Sequence, residues 1–119
     1  MKNLKKNKLG KVKRTPRGFE LIEFADFKGH ACSLQQSSLA LYDKPGVSAV
    51  WMGPDDAKPI ILAHHAARLG IKTHRTDGWV AYPVPKEVSF TTRMHLTRDE
   101  VESLIKHLTA WLKTGSFKI

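Results

Sequence analysis

Residues 88–115, VSFTTRMHLTRDEVESLIKHLTAWLKTG, decide the fold class. Positions 88, 90, 94 and 96 are apolar and positions 89, 91, 93 and 95 are polar, with Thr92 the one exception on the apolar side. A period of two predicts a half-buried strand over 88–96. At Thr97 the period changes, and Val101, Leu104, Ile105, Leu108, Trp111 and Leu112 recur at three and four residues, which predicts a helix to Thr114. Thr97 and Glu100 carry the capping-box signature at its start, Gly115 stops it, and Phe117 can fold back. Burying each large apolar side chain of that stripe contributes about 1.5–3 kcal/mol. The expectation is therefore a helix that lies on a sheet.

Working towards the N-terminus, Phe19-Glu20-Leu21-Ile22-Glu23-Phe24 and His30-Ala31-Cys32-Ser33-Leu34-Gln35 flank the turn-rich Asp26-Phe27-Lys28-Gly29 and read as a hairpin. Val47 to Met52 is a third strand closed by Gly53-Pro54. Asp55 and Asp56 offer N-caps, Pro59 is tolerable in a first turn, and Ile61, Leu62, Ala66 and Leu69 predict a helix over 56–69, with Gly70 at C′ and Ile71 at C″. After the turn at Thr76-Asp77-Gly78, Trp79 to Tyr82 is a short strand stopped by Pro83 and Pro85. The expected fold is α+β: a small antiparallel sheet of the hairpin, third strand and last strand, with two helices packed on one face, in a single domain over 18–119.

A chain of 119 residues suffices for one such domain. Its formal charge of +9 is unevenly placed. Residues 1–17 hold eight of the twenty Lys and Arg and no acid, leaving twelve basic and eleven acidic side chains in the rest. With few apolar groups, 1–17 is expected to be a disordered basic tail, and Lys5, Lys6, Lys8, Lys11, Lys13, Arg14 and Arg17 are its candidate nucleic-acid contacts. The alternative is a solubilising tail. One cysteine, no secretory h-region and no apolar run of about 20 residues point to a soluble cytoplasmic protein with no membrane partner.

Strict alternation puts Arg93 and His95 on one face of the last strand, where a guanidinium fork and an imidazole donor suit a phosphate or carboxylate. The competing reading pairs Arg93 with an acid, Glu20 or Glu23, across a solvated sheet face. Trp79, following a turn, with Arg75 close in sequence, is the second candidate for ligand binding, whereas Trp51, between Val50 and Met52, reads as inward-facing. His64 and His65 are adjacent and point about 100° apart on a helix, so no metal site is expected. Cys32 sits in a strand, where a buried structural thiol is expected rather than a nucleophile. Without paired carboxylates or a glycine-rich phosphate loop, neither an enzyme nor a cofactor is implied.

Gly18-Phe19 with Ile22-Glu23-Phe24, Cys32-Ser33-Leu34-Gln35 with Ser37-Ser38, Ala49 to Gly53, and Thr92 to Arg98 followed by the amphipathic helix and Thr114-Gly115 together resemble a group of short proteins of tailed phages and prophages. The likeness covers about residues 18–116. It implies a phage protein at work in the bacterial host cytoplasm, and Arg93 and His95 fall inside its most specific motif. Short phage proteins of this kind commonly act by binding. The expectation is an accessory protein that counteracts a host process such as antiviral defence by engaging an anionic ligand, a nucleotide signal for instance, or a host protein complex, with self-association compatible. The alternatives are a DNA- or RNA-binding protein that uses the basic arm, and a virion or assembly component.

Overall fold

The computed structural model describes residues 9–39 and 46–119. Where the sequence predicts one domain, the chain divides into two compact units, one formed by the chain up to Asp55 together with Arg93–Ile119, the other by Asp56–Thr92. The fold is α+β as expected.

The first unit is a five-stranded antiparallel sheet of β1 (Val12–Arg14), β2 (Glu20–Ala25), β3 (Ala31–Gln36), β4 (Ala49–Pro54) and β7 (Met94–Thr97), in that spatial order, followed by helix α2 (Arg98–Thr114). The β2–β3 hairpin forms where predicted, and its turn is held by Asp26, whose Oδ1 accepts from the backbone N–H groups of Lys28 and His30 at 2.9 and 2.8 Å. Of the expected disordered tail, residues 1–8 lie outside the described residues, and Val12, Lys13 and Arg14 are ordered, pairing with Ile22, Leu21 and Glu20 as an edge strand. A third strand exists but lies two residues further on than predicted, at Ala49–Pro54.

The last strand is much shorter than the predicted 88–96. Its ladder on β4 runs from Ala49↔Thr97 to Met52↔Met94 and stops there. Further along β4 come Gly53 and Pro54, and proline has no N–H to give to a neighbour. The predicted cap is present: Thr97 Oγ1 accepts from the Glu100 backbone N–H, and Glu100 Oε1 accepts from that of Thr97 at 2.9 Å. At the far end Gly115 takes the left-handed conformation, φ 79°, and its N–H donates to the Trp111 carbonyl at 2.8 Å.

Register assigns the two faces of the sheet. Val12, Ile22, Leu34, Met52 and Met94 form one cross-strand row, with Val50 and Leu96 on the same face two residues along β4 and β7, and Lys13, Leu21, Gln35, Trp51 and His95 form the next row on the opposite face. In this unit the buried positions among the described residues are small: Cys32, Ser33, Ser37, Ser48 and Ala49. Helix α2 does not cover this sheet as expected. Helix α2 meets β7 and has no buried residue, with Ile105, Leu108, Trp111 and Leu112 all exposed. The physical reason is the join: β7 ends at Thr97 and α2 begins at Arg98, so no loop exists in which the chain can turn back over the sheet.

The second unit pairs β5 (Ile60–Leu62) with β6 (Trp79–Ala81) in an antiparallel ladder and places the single-turn helix α1 (Ala63–Ala66) and a 3-10 turn, Ala67–Leu69, directly after β5. Sequence predicts one helix over 56–69; only its second half is helical. Pro59 drives Lys58 away from the α region, and Ile60–Leu62 find β6 as a partner, with the Tyr82 N–H donating to the Pro59 carbonyl at 3.0 Å. Gly70 stops the turn as predicted, with φ 77° and Ile71 N–H donating back to the Ala66 carbonyl at 2.9 Å. Among the described residues no helix is long and apolar enough to cross a membrane.

Candidate functional site

The polar face of the five-stranded sheet carries an aromatic and cationic cluster on β4 and β7. Trp51 and His95 are direct cross-strand partners, and their rings stack at 5.6 Å between centroids with 14° between planes. The Arg93 guanidinium sits 4.4 Å from the centre of the Trp51 ring, in cation–π contact. The indole Nε1–H donates to the Gln36 carbonyl at 3.3 Å, which fixes the ring on the sheet.

Arg93 is in turn tied to the last residue of the first unit before the second begins. Its Nη2 lies 3.5 Å from Asp55 Oδ1, and the same oxygen accepts a hydrogen bond from the buried Ser33 hydroxyl at 2.7 Å. Asp55 and Arg93 are thus the two points at which the chain leaves and re-enters the first unit, joined by an ion pair. Asp55 leaves donors of Arg93 over: the buried Nε meets no acceptor among the described residues.

Beside this cluster lies an open groove of about 460 Å³, lined by Thr15, Arg17, Phe19, Gln35, Ser37 and Ser38 with Trp51 and His95. Arg17 reaches over the Phe19 ring, 5.4 Å from its centre. An indole, an imidazole, a guanidinium and several hydroxyls thus border one concavity. That combination suits a planar ring bearing an anionic group: the aromatics offer faces for stacking, Arg17 a charge, and the hydroxyls directional partners.

Arg93 and His95 are accordingly brought together, through Trp51, but Arg93 pairs with neither acid the sequence suggests. Glu20 lies 3.6 Å from Arg14, and Glu23 is 3.0 Å from Lys13. Arg93 is also not a solvated outward side chain, being 25% exposed. Arg75 and Trp79 belong to the second unit, where the Arg75 Nη1–H donates to the Trp79 carbonyl at 3.2 Å and its guanidinium crosses Gly78 so closely that a Cβ there would lie 2.5 Å away. That flexible arginine end could move aside, but Gly78 has φ +76°, the left-handed conformation that favours glycine. Trp79 remains exposed.

Of the basic arm, Lys5, Lys6 and Lys8 lie outside the described residues. Lys11 is exposed; Lys13 and Arg14 are engaged by Glu23 and Glu20, and Arg14 also donates to the Gly18 carbonyl at 2.8 Å. Arg17 lines the groove instead of extending the arm. Cys32 is the buried thiol expected, its Sγ 3.4 Å from the His30 carbonyl. Sequence reasoning missed Trp51, Asp55 and Ser33 as members of the site. Alternation along β4 was the available signal for Trp51: with Val50 and Met52 in the apolar rows, Trp51 falls on the polar face. No protein-family model, curated protein or solved structure matches the chain.

Proposed function

We propose that this is a non-enzymatic binding protein whose ligand is a small molecule combining a planar aromatic ring with an anionic group, a nucleotide being the simplest case. The observation that carries this reading is the Trp51–His95 stack, braced by Arg93 on the rim of a groove that also holds Arg17. Arg93 acts in this site chiefly by positioning the indole, since Asp55 occupies part of its charge. His95 and Arg17 are the groups left to meet the ligand. In the phage setting that the sequence resemblance implies, sequestering a nucleotide signal is a direct way to blunt a host defence.

The nucleic-acid arm is the weaker reading, because Lys13 and Arg14, two of its seven candidate cations, are paired with carboxylates of β2. Calorimetric titration of the full chain with a mononucleotide, a cyclic dinucleotide and inorganic phosphate tests the proposal. A nucleotide should bind more tightly than phosphate alone, and Arg17→Glu and His95→Ala should each weaken binding by about tenfold or more while moving the melting temperature by only a few degrees, as exposed positions do. Absence of heat with all three probes, or unchanged affinity in both variants, refutes it.

A further inference from the structure

We infer that the exposed stripe of α2 is a self-association surface, and that two copies of this chain pair through it as antiparallel helices about a two-fold axis near Leu108. The stripe is large and unpartnered. Ile105 is 58% exposed, Leu108 44%, Trp111 48% and Leu112 77%. Phe117 and Ile119, 61% and 82% exposed, are kept near it because Gly115 reverses the chain and His107 Nδ1 lies 2.8 Å from the Phe117 carbonyl oxygen. Together these six side chains present on the order of 800 Å² of apolar surface, which is about what one partner contributes to a standard-size interface. Among the described residues α2 meets the sheet chiefly at β7, with Ile105 also bordering an open groove beside Ala49 and Val50 of β4, and these six side chains stay exposed all the same.

Charge selects the occupant and its direction. The first turns of α2 carry Asp99, Glu100 and Glu102 against one cation, Arg98, whose guanidinium donates to the Val47 carbonyl at 2.8 Å, and its end carries Lys113, with Lys118 beyond. Such a helix is complementary to a reversed copy of itself and repels a parallel one. Register sharpens the point: Glu102 and Lys113 are separated by three helical turns and so lie along the same flank of the stripe, at about equal distances from Leu108. A two-fold axis perpendicular to the helices keeps that flank on one side of the interface, and each Glu102 then meets Lys113 of the partner subunit, twice per dimer. Among the described residues the ion pair of Glu102 is a long contact to Lys106, at 4.0 Å and well exposed, which exchanges readily for a closer partner. Helices packed this way bury their stripes as bundle helices do.

Sedimentation equilibrium of the full chain across a wide concentration range tests this. The expected result is a mass of two chains, with Leu108→Lys dissociating at least about thirtyfold more readily while circular dichroism retains the helical signal. Glu102→Lys and Lys113→Glu should each weaken the dimer by roughly three- to tenfold, and the two combined should recover most of that loss. Leu108→Cys, at the axis, should form an intermolecular disulfide under mild oxidation, which reads the geometry even where Leu108→Lys disturbs folding. A monomer at all concentrations overturns the inference, whatever else covers the helix. So does a dimer in which Leu108→Cys does not cross-link and the charge reversals have no effect.

Discussion

Removing the carboxylate of Asp55 should destabilise the first unit more than any other single change at its surface. The side chain is 32% exposed, yet one of its oxygens serves two partners, the Ser33 hydroxyl at 2.7 Å and Arg93 Nη2 at 3.5 Å. Ser33 is only 5% exposed, so in Asp55→Ala its hydroxyl loses a charge-assisted bond, at about 1.5–3 kcal/mol. The ion pair with Arg93 is part-exposed and screened, and adds about 0.2–1 kcal/mol. Together Asp55→Ala should cost roughly 2–4 kcal/mol, and each kcal/mol shifts the melting temperature of a chain this long by about 4 °C. Asp55→Asn retains an oxygen to accept from Ser33 and should cost less than half as much. Arg93→Ala loses the pair and the cation–π contact on Trp51, about 0.5–2 kcal/mol for the latter. Because Asp55 and Arg93 touch, their double variant should be less destabilised than the sum, by about 0.5–1 kcal/mol. Urea unfolding of the parent and these four variants at neutral pH supplies these numbers. If Asp55→Ala unfolds within about 0.5 kcal/mol of the parent, the fork from Ser33 to Arg93 is ornamental and the argument from burial fails.

Two further outcomes follow from local chemistry. Thr97→Ala removes the hydroxyl that accepts from Glu100 N–H and should cost about 1 kcal/mol in the same urea assay, whereas Thr97→Ser should be nearly neutral. At the hairpin turn, the His30 ring and the His30 backbone N–H both bond Asp26 and hold its carboxyl below the ordinary 3.8. A depressed folded value means that this contribution to stability is present above the unfolded value, near 3.8, and is lost as pH falls through the folded one. His30→Ala should therefore raise the Asp26 midpoint in a carbon-detected NMR titration; a midpoint that stays put would assign the depression to the backbone donors alone.

Much of the architecture is local and was legible for that reason. Helix α2, its capping box and its glycine stop depend on spacing within one segment, and the β2–β3 hairpin depends on a turn whose Asp26 and Gly29 stand in the sequence. The α+β class follows from these elements. What the sequence could not settle was where segments find partners. Ile61 and Leu62 fit a helical pattern, but β6 was available to them and Pro59 blocked the helix start, so they became strand. Val88 to Arg93 alternate as a strand should, yet the neighbouring β4 ends its ladder at Met52 before Gly53 and Pro54. The apolar stripe of α2 was equally plain, but periodicity says only that a face wants cover and never who covers it. The site shows the same division. Arg93 and His95 were placed on one face by alternation, while Asp55, thirty-eight residues upstream of Arg93, and Trp51, on another strand, joined them only through the pairing of β4 with β7. Side-chain direction is a property of the local backbone and can be read from the sequence; a partner distant in the chain is chosen by which strands lie side by side, and that is decided only when the sheet forms.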